Sequence, residues 1–386
     1  MQRILINIPT TQNKNISQDW LRIFRVFQSH GLDVFVNAGL FVKNLDAIKD
    51  VHNFEWLEKN EKEILQKNKA RTKIGFMFHS LKRTFVTLKN RNHIFEKKSF
   101  DIIYTPSAVL DFVIFPYYLK IKGKKIGWAT SLANTVPFTD PGNRIIRFLA
   151  WVFFQASIFM LRKADVIFTP TVEIKKYLLK RGFPPEKLIE TSFAVENDLI
   201  EKAYRLEAMK IDALFIGRIN ETKGIFDMLK VLGIIVKEYP DFQLAIMGNG
   251  DIATEKKFRG RIKKFGLGRN IQFLGYRTGP EKYNIIKSAK CFWFLSVSKS
   301  ESFGMALLEA VCSGIPAFTY DLSQFSYLYP NGEVIISPKG DYEAVAKKVI
   351  ELFKEGNFSN EKGKLLLGKY SWEKIAEIEY ASIKSL

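Results

Sequence analysis

A short loop in the second half of the chain carries two cations between glycines. An apolar strand predicted to end at Ile216 runs into Gly217-Arg218-Ile219-Asn220-Glu221-Thr222-Lys223-Gly224, and a helix is predicted to follow. Ligands of open parallel sheets bind at the carboxyl ends of the strands, where this loop would lie. The glycines permit close backbone approach, so Arg218 could grip phosphate oxygens as a fork while Lys223 supplies a point charge. The spacing of the two cations suits a diphosphate. If the loop is considered by itself, the alternative is an ordinary turn between strand and helix with two solvated cations.

Two carboxylates follow the strand predicted at Cys291 to Ser296. Glu301 and Glu309 have seven residues between them, and a helix is predicted from about Phe303 to Cys312. On one helix the glutamates would be separated by about 12 Å along the axis, so they could hold opposite ends of an extended ligand. Free amides at the start of that helix would attract an anion. A solvated structural role for Glu309 is the alternative, but its neighbours are apolar and an idle carboxylate there is costly.

The elements that must position these residues form two domains. A chain of 386 residues exceeds what one core usually serves, and both halves alternate short apolar runs with amphipathic stretches. This pattern predicts α/β domains with parallel sheets covered by helices. The polar segment 198–210 marks the boundary, which gives domains 1–205 and 206–369, and an amphipathic segment within 370–386 could pack back on the first domain. Strands are predicted at 3–8, 32–37, 73–78, 102–105, 125–129, 166–169, 213–216, 242–247, 271–274, 291–296 and 317–320.

Taken together, these residues resemble the retaining GT-B glycosyltransferases of family 4. The match covers about residues 211 to 384 in the family's order. The residues that carry it are Gly217-Arg218 with Lys223-Gly224, Met247-Gly248-Asn249-Gly250, Phe273-Leu274-Gly275-Tyr276, the pair Glu301 and Glu309 with Ser302-Phe303-Gly304, Gly314-Ile315-Pro316, and Tyr370-Ser371-Trp372-Glu373-Lys374-Ile375. The resemblance implies the GT-B fold, in which two doubly wound Rossmann-like domains enclose an interdomain cleft.

The resemblance also implies a role for each residue of a nucleotide-sugar site. Arg218 and Lys223 would neutralise the departing diphosphate, Glu301 would hold hydroxyls of the donor sugar, and Glu309 would accept hydrogen bonds from the ribose. Arg218, Lys223 and Glu301 are the expected catalytic residues. The other expected donor-binding residues are Gly217, Gly248, Tyr276, Ser302, Phe303, Gly304 and Met305, of which Tyr276 would border the base. Transfer in this family retains the anomeric configuration, which is commonly explained by front-face attack in which the leaving phosphate takes the acceptor proton. On that mechanism no protein nucleophile is required.

The family resemblance implies chemistry without a metal or a cofactor other than the sugar-nucleotide co-substrate. No Asp-x-Asp occurs in the chain, which is consistent with that expectation. The first half departs from the family pattern, since residues 10–14 lack a glycine pair and Trp128 to Asn134 contains no histidine. Thr130, Ser131 or Asn134 are the candidates for contacts on the sugar side.

The net charge of +19 is concentrated in the first half. Residues 1–205 hold 33 Lys and Arg against 19 Asp and Glu, and they include an apolar stretch from Ile145 to Leu161 with basic flanks. This combination suits an interfacial helix on an anionic membrane or an anionic acceptor. The alternatives are a helix that is simply core and a charge that is only compositional. With two cysteines there is no disulfide framework, and we expect a cytoplasmic protein, peripheral at the inner face of the membrane.

The sequence therefore predicts a hexosyltransferase. It would move a hexose-type sugar from a nucleoside-diphosphate sugar to a glycan or lipid-linked acceptor, in cell-surface polysaccharide or glycolipid synthesis. A sugar-nucleotide epimerase or hydrolase on the same fold is the rival enzyme. A basic nucleic-acid-binding protein is disfavoured, because the charge forms no single stripe and no known RNA or DNA module is visible.

Overall fold

The computed structural model describes residues 2–8, 19–38, 55–56, 99–138, 144–298, 301 and 303–386. The chain divides into two compact units. Unit 1 comprises Met1–Phe138, Gly142–Ala194 and Trp372–Leu386, and unit 2 comprises Thr139–Pro141 and Val195–Ser371.

Unit 1 is built on a seven-stranded sheet in which every neighbouring pair is parallel. The strands are β1 (Arg3–Ile8), β2 (Asp33–Ala38), β3 (Glu55–Trp56), β4 (Ile102–Thr105), β5 (Gly127–Ser131), β6 (Val166–Thr169) and β7 (Leu188–Glu190). Their order in the sheet is β3-β2-β1-β4-β5-β6-β7. β4 and β6 are buried along their whole length, as expected for a parallel sheet between helices. The strand predicted at 73–78 lies outside the described residues.

The C-terminal helix Trp372–Ile383 belongs to unit 1 and packs against the helix Asp19–Ser29. Its Glu379 is buried and accepts a hydrogen bond of 2.7 Å from the hydroxyl of Tyr104 on β4. Burial raises the pKa of Glu379 to about 8, although the hydrogen bond from Tyr104 lowers it. The described helices of unit 1 are Asp19–Ser29, Leu110–Ile121, Arg144–Leu161, Val172–Leu179 and Trp372–Ile383.

The helix Arg144–Leu161 is buried on one side only. Its buried residues, Phe154, Ser157, Ile158 and Leu161, lie in its C-terminal half. Only 22% of the helix is buried, and it is long and apolar enough to cross a membrane by length and composition, the one such helix in the described part of the chain. The expectation that this helix is simply core is therefore wrong for its N-terminal half.

Unit 2 is built on a six-stranded sheet that is parallel throughout. The strands are β8 (Ile211–Ile216), β9 (Leu244–Met247), β10 (Ile271–Gly275), β11 (Ala289–Phe294), β12 (Ala317–Tyr320) and β13 (Ile335–Ser337). The order is β10-β9-β8-β11-β12-β13, so the winding direction reverses between β8 and β11. Each unit is thus a doubly wound, Rossmann-like domain. The helices are Asn197–Lys202, Ile225–Ile235, Ile252–Lys264, Gly279–Ser288, Met305–Cys312, Phe325–Leu328, Tyr342–Glu355 and Glu361–Lys364.

Residues 195–205, which the sequence analysis assigned to the first domain, lie in unit 2. The amide of Val195 donates to the carbonyl of Tyr370 at 3.1 Å, and the amide of Tyr204 donates to the side chain of Asn284 at 3.1 Å. These hydrogen bonds tie a segment that was interpreted as a polar linker to the rest of unit 2.

Candidate active site

The loops that follow β8 and β11 meet where the winding of the second sheet reverses. The amide of Val297 donates to the carbonyl of Thr222 at 2.9 Å. Gly224, at the end of the loop 217–224, has a φ of +74°, and a Cβ there would lie 1.8 Å from the carbonyl oxygen of Leu295. Only glycine permits this approach. The crevice at such a reversal is the usual ligand site of a doubly wound sheet.

Lys223 and Glu301 form an ion pair at this crevice. The Nζ atom of Lys223 lies 2.6 Å from Oε2 of Glu301, and the side chains are 21% and 12% exposed. The hydroxyl of Ser296 lies 3.1 Å from the same Oε2, and the side-chain amide of Gln324 donates to the main-chain carbonyl of Glu301. Oε1 of Glu301 has no partner among the described residues. One oxygen therefore fixes the carboxylate and the other is left to accept hydrogen bonds.

Glu309 is held by an equivalent arrangement. Lys282 lies 2.7 Å from its Oε1, and the hydroxyl of Tyr283 donates to the same oxygen at 3.1 Å. Oε2 has no partner in the part of the chain that the structure describes. Burial raises the pKa of Tyr283, and the charges of Glu309 and Glu196 raise it further, so the phenol stays a neutral donor. Glu309 is thus neither idle nor on a solvated face.

The helix between these clusters begins at Met305 rather than at Phe303. Gly304 has a φ of +72°, a left-handed conformation that places it before the helix and not in it. Glu301 therefore lies in a loop, and the separation of about 12 Å expected along one helix axis does not apply. No side chain of the described residues caps the start of this helix at Gly304, so none competes with an anion for the first amides of the helix.

Phe303 and Ser302, two of the predicted donor contacts, come just before this helix. Phe303 is buried, and its ring packs edge to face with Tyr370 at 5.6 Å between centroids. Its side chain therefore serves the core, which leaves only its backbone for a ligand. Ser302 lies outside the described residues.

Glycines also join the loop 217–224 to the neighbouring strands. The amide of Gly217 donates to Met247 at 3.1 Å, and that of Gly248 donates to Gly275 at 2.8 Å. A Cβ on Gly248 would lie 2.0 Å from the carbonyl oxygen of Gly217, so a larger residue would push the loops apart. The structure thus brings Gly217 and Gly248 together and leaves Tyr276, after β10, half exposed.

Arg218 is the cation of this loop that stays available. Its side chain is exposed, and it has no hydrogen-bond or ion-pair partner among the described residues. Lys223, in contrast, is already paired with Glu301. The two cations that were predicted to bind one diphosphate are therefore in different states, since Lys223 has an ion-pair partner and Arg218 has none among the described residues.

Sequence reasoning missed Ser296, Gln324, Lys282 and Tyr283. These residues come from three other segments, and their spacing to Glu301 or Glu309 carries no recognisable signal. Lys282 and Tyr283 lie on the helix Gly279–Ser288, where they read as ordinary helix residues.

The polar candidates in unit 1 are unequal. Thr130 is fully buried in β5, so it cannot contact a sugar from its present position. Ser131 is half-buried, and Asn134 is exposed on the segment that follows the strand. No cluster of three or more metal-binding side chains occurs among the described residues.

Comparison with known proteins shows what the chain is similar to. Residues 196–364 match the family model described as glycosyl transferases group 1. The chain is 26% identical over 298 residues to an uncharacterized glycosyltransferase of Methanocaldococcus jannaschii, a match that covers 74% of this chain and 71% of that protein. It is 31% identical over 168 residues to the phosphatidyl-myo-inositol mannosyltransferase of Mycobacterium leprae, over 42% of this chain and 43% of that protein.

A solved structure extends the likeness to the whole chain. The complex of Anabaena Alr3699/HepE with UDP-glucose superposes with a TM-score of 0.70 at 12% identity, and the match covers 100% of both chains. At this identity the likeness shows the fold. The protein therefore has the α/β GT-B fold, and the comparisons support a glycosyltransferase of group 1.

Proposed function

We propose that the protein is a retaining, metal-independent hexosyltransferase that uses a nucleoside-diphosphate sugar. The observation that carries the proposal is the pair of lysine-held glutamates at the reversal of the second sheet. Each lysine stabilises the carboxylate anion, and each glutamate keeps one oxygen for a ligand hydroxyl. Two polyhydroxylated groups, a sugar and a ribose, match two such acceptors.

A diphosphate requires positive charge, which comes here from the two cations of the loop 217–224 and from the N-terminus of the helix Met305–Cys312. Arg218 is exposed and unpaired among the described residues, Lys223 lies in the same loop, and the amides at Met305 add the positive end of a helix dipole. In the proposal these groups neutralise the departing diphosphate in place of a metal ion. Glu301 holds the donor sugar, Glu309 holds the ribose, and Tyr276 borders the base.

Retention of configuration follows if the acceptor attacks from the side of the departing phosphate. That phosphate then takes the acceptor proton, and no protein nucleophile is involved. The acceptor in the proposal is a glycan or a lipid-linked molecule of cell-surface polysaccharide or glycolipid synthesis. The mannosyltransferase relative acts, by its name, on phosphatidyl-myo-inositol, which supports a lipid-linked class.

A thermal-shift screen with UDP, GDP and their hexoses tests the donor. UDP comes first because the structural neighbour binds UDP-glucose. A ligand at 100 times its dissociation constant should stabilise the protein by about 2.7 kcal/mol. An epimerase or hydrolase would instead isomerise the sugar or release it with no acceptor present, and binding of random oligonucleotides without any sugar nucleotide would contradict the proposal.

We also propose that unit 1 meets the inner face of the membrane. The basic excess of residues 1–205 and the exposed apolar helix Arg144–Leu161 motivate this placement. Sedimentation with vesicles should then increase with anionic lipid and fade with salt, since exposed charges are screened over about 8 Å at physiological ionic strength. Protein that stays in the supernatant at every lipid composition would contradict it.

A further inference from the structure

Unit 1 contains an apolar pocket that the donor chemistry leaves unused. Its volume is about 440 Å³, within the usual range for small-molecule sites. The wall is mostly aliphatic and aromatic, and its polar members are few, with Asn134 among them. Such a wall offers little to a sugar and suits a hydrocarbon.

The pocket lies where an α/β domain binds its ligand. Ser107 to Leu110 follow the carboxyl end of β4, and Leu132 to Asn134 follow the carboxyl end of β5. β4 also flanks the point at which the first sheet reverses its winding. Ligands of open sheets occupy this edge, so the position is that of a substrate pocket and not of a packing defect in the core.

The third wall of the pocket is the helix Arg144–Leu161. Ile146, Ala150 and Phe153 line the pocket, while Phe148 on the other side of the helix is 51% exposed. Neighbouring exposed apolar residues are Ile145, Leu149, Val152 and Phe159. An apolar surface that continues from a pocket onto the outside of a helix is typical of sites that meet a membrane or a partner.

The charge around this helix selects among the possible occupants. The helix contains no acidic residue, Arg144 and Arg147 lie in its first turn, and Arg162 and Lys163 follow its last residue. Arg147 also donates to the carbonyl of Pro137, beside the pocket, at 3.4 Å. A second copy of this chain would bring the same cations together, whereas an anionic lipid would neutralise them.

We propose that this pocket binds the hydrocarbon chain of an anionic lipid acceptor, with the phosphate of that lipid held by the arginines of the helix. The inference rests on the proposed function and narrows its acceptor to a lipid linked through phosphate. The apolar chain would be removed from water in the pocket, which is the main source of affinity for such a ligand.

Calorimetry with dodecyl phosphate below its micelle concentration tests the proposal in the absence of any donor. The parent protein should bind it saturably, and inorganic phosphate should not compete at the same concentration. Ala150→Phe fills the pocket and should weaken binding of dodecyl phosphate by about tenfold or more. Tenfold corresponds to about two methylene groups that are no longer buried. Val152→Phe adds the same ring outside the pocket and should bind like the parent.

A double variant tests the binding of the phosphate headgroup separately from the binding of the hydrocarbon chain. Arg144→Gln with Arg147→Gln should weaken dodecyl phosphate binding several-fold and leave binding of the uncharged dodecyl maltoside unchanged. UDP binding, which uses unit 2, serves as the folding control for every variant. If UDP binds but dodecyl phosphate does not, the acceptor inference fails and the donor proposal stands.

Two results would overturn the inference. One is equal binding of dodecyl phosphate by the parent and by Ala150→Phe. The other is a lipid-free dimer, seen by sedimentation velocity, that Phe148→Glu dissociates, because the apolar face would then belong to a second copy of the chain.

Discussion

Glu301 and Glu309 of unit 2 and Glu379 of unit 1 have different partners and different exposure. In unit 2, Glu301 and Glu309 are each paired with a lysine within 2.7 Å, and their side chains are 12% and 13% exposed. In unit 1, Glu379 is 3% exposed, and its hydrogen-bond partner is the hydroxyl of Tyr104. No cation pairs with Glu379 among the described residues.

The presence or absence of a lysine partner distinguishes a glutamate that can bind a ligand from one that belongs to the core. A lysine stabilises the charged carboxylate, and partial exposure lets its second oxygen meet a ligand. Burial without a cation has the opposite effect, since it raises the pKa of Glu379 to about 8 and keeps the proton on the carboxyl group at neutral pH. Residue type alone does not distinguish the three glutamates.

The largest expected effect is on the pH dependence of stability. In the unfolded chain Glu379 loses its proton near pH 4.5, whereas in the folded protein it does so near pH 8. Between these values the unfolded state binds fewer protons, so the free energy of unfolding falls as pH rises, by roughly 5 kcal/mol in total. Below pH 4.5 the penalty is absent, and above pH 8 it is complete. Glu379→Gln should remove this fall in urea unfolding between pH 5 and pH 8.

The matched control for that prediction is Glu377→Gln on the same helix. Glu377 is exposed and lies 2.7 Å from His30. In Glu377→Gln the free energy of unfolding should still fall between pH 5 and pH 8, as it does in the parent. Parallel profiles for the parent and Glu379→Gln would show that Glu379 is not the buried acid described.

Substitution of Lys223, the ion-pair partner of Glu301, should have the next largest effect. Lys223→Ala removes a cation from the diphosphate and leaves Glu301 without its ion-pair partner, so turnover should fall by about 10²-fold or more. The control is Lys257→Ala, because Lys257 pairs with Glu221 of the same loop at 2.5 Å but is half exposed. Unchanged kinetics in folded Lys223→Ala would remove the loop from the mechanism.

The smallest expected effect concerns the phenol at Glu309. Tyr283→Phe deletes one hydrogen bond to Oε1 while Lys282 still holds that oxygen. A hydrogen bond of this kind contributes about 0.5–1.5 kcal/mol, which corresponds to a few-fold to roughly tenfold weaker donor binding. KM for the donor should rise while kcat stays the same. A fall in kcat alone would place Tyr283 in the chemical step.

Strand positions could be predicted largely from the sequence because buried parallel strands are continuous apolar runs. Arg3–Ile8, Ile102–Thr105 and Val166–Thr169 have the predicted bounds. The short strands Leu188–Glu190 and Ile335–Ser337 were missed, since each lies at the edge of its sheet and is only partly buried. Edge position removes the apolar pattern on which the prediction depends.

The candidate site could be predicted only in part. The loop 217–224 and both glutamates are visible as motifs, because their residue types follow predicted strands. The partners Lys282 and Gln324 are not, since they reach the glutamates through the order of strands in the sheet. The helix was predicted to start too early because the left-handed conformation of Gly304 does not follow from residue type alone.

Binding of bare nucleotide to two glutamate variants tests the central claim most directly. UDP and GDP would be titrated in parallel into the parent, Glu309→Gln and Glu301→Gln, and transfer would be measured on the same preparations. If Glu309 holds the ribose, Glu309→Gln should bind the nucleotide about tenfold more weakly, the scale of a hydrogen bond to a charged group. Glu301→Gln should bind it like the parent and lose transfer. Nucleotide binding equal to the parent's in both variants would contradict the division of roles between the two glutamates.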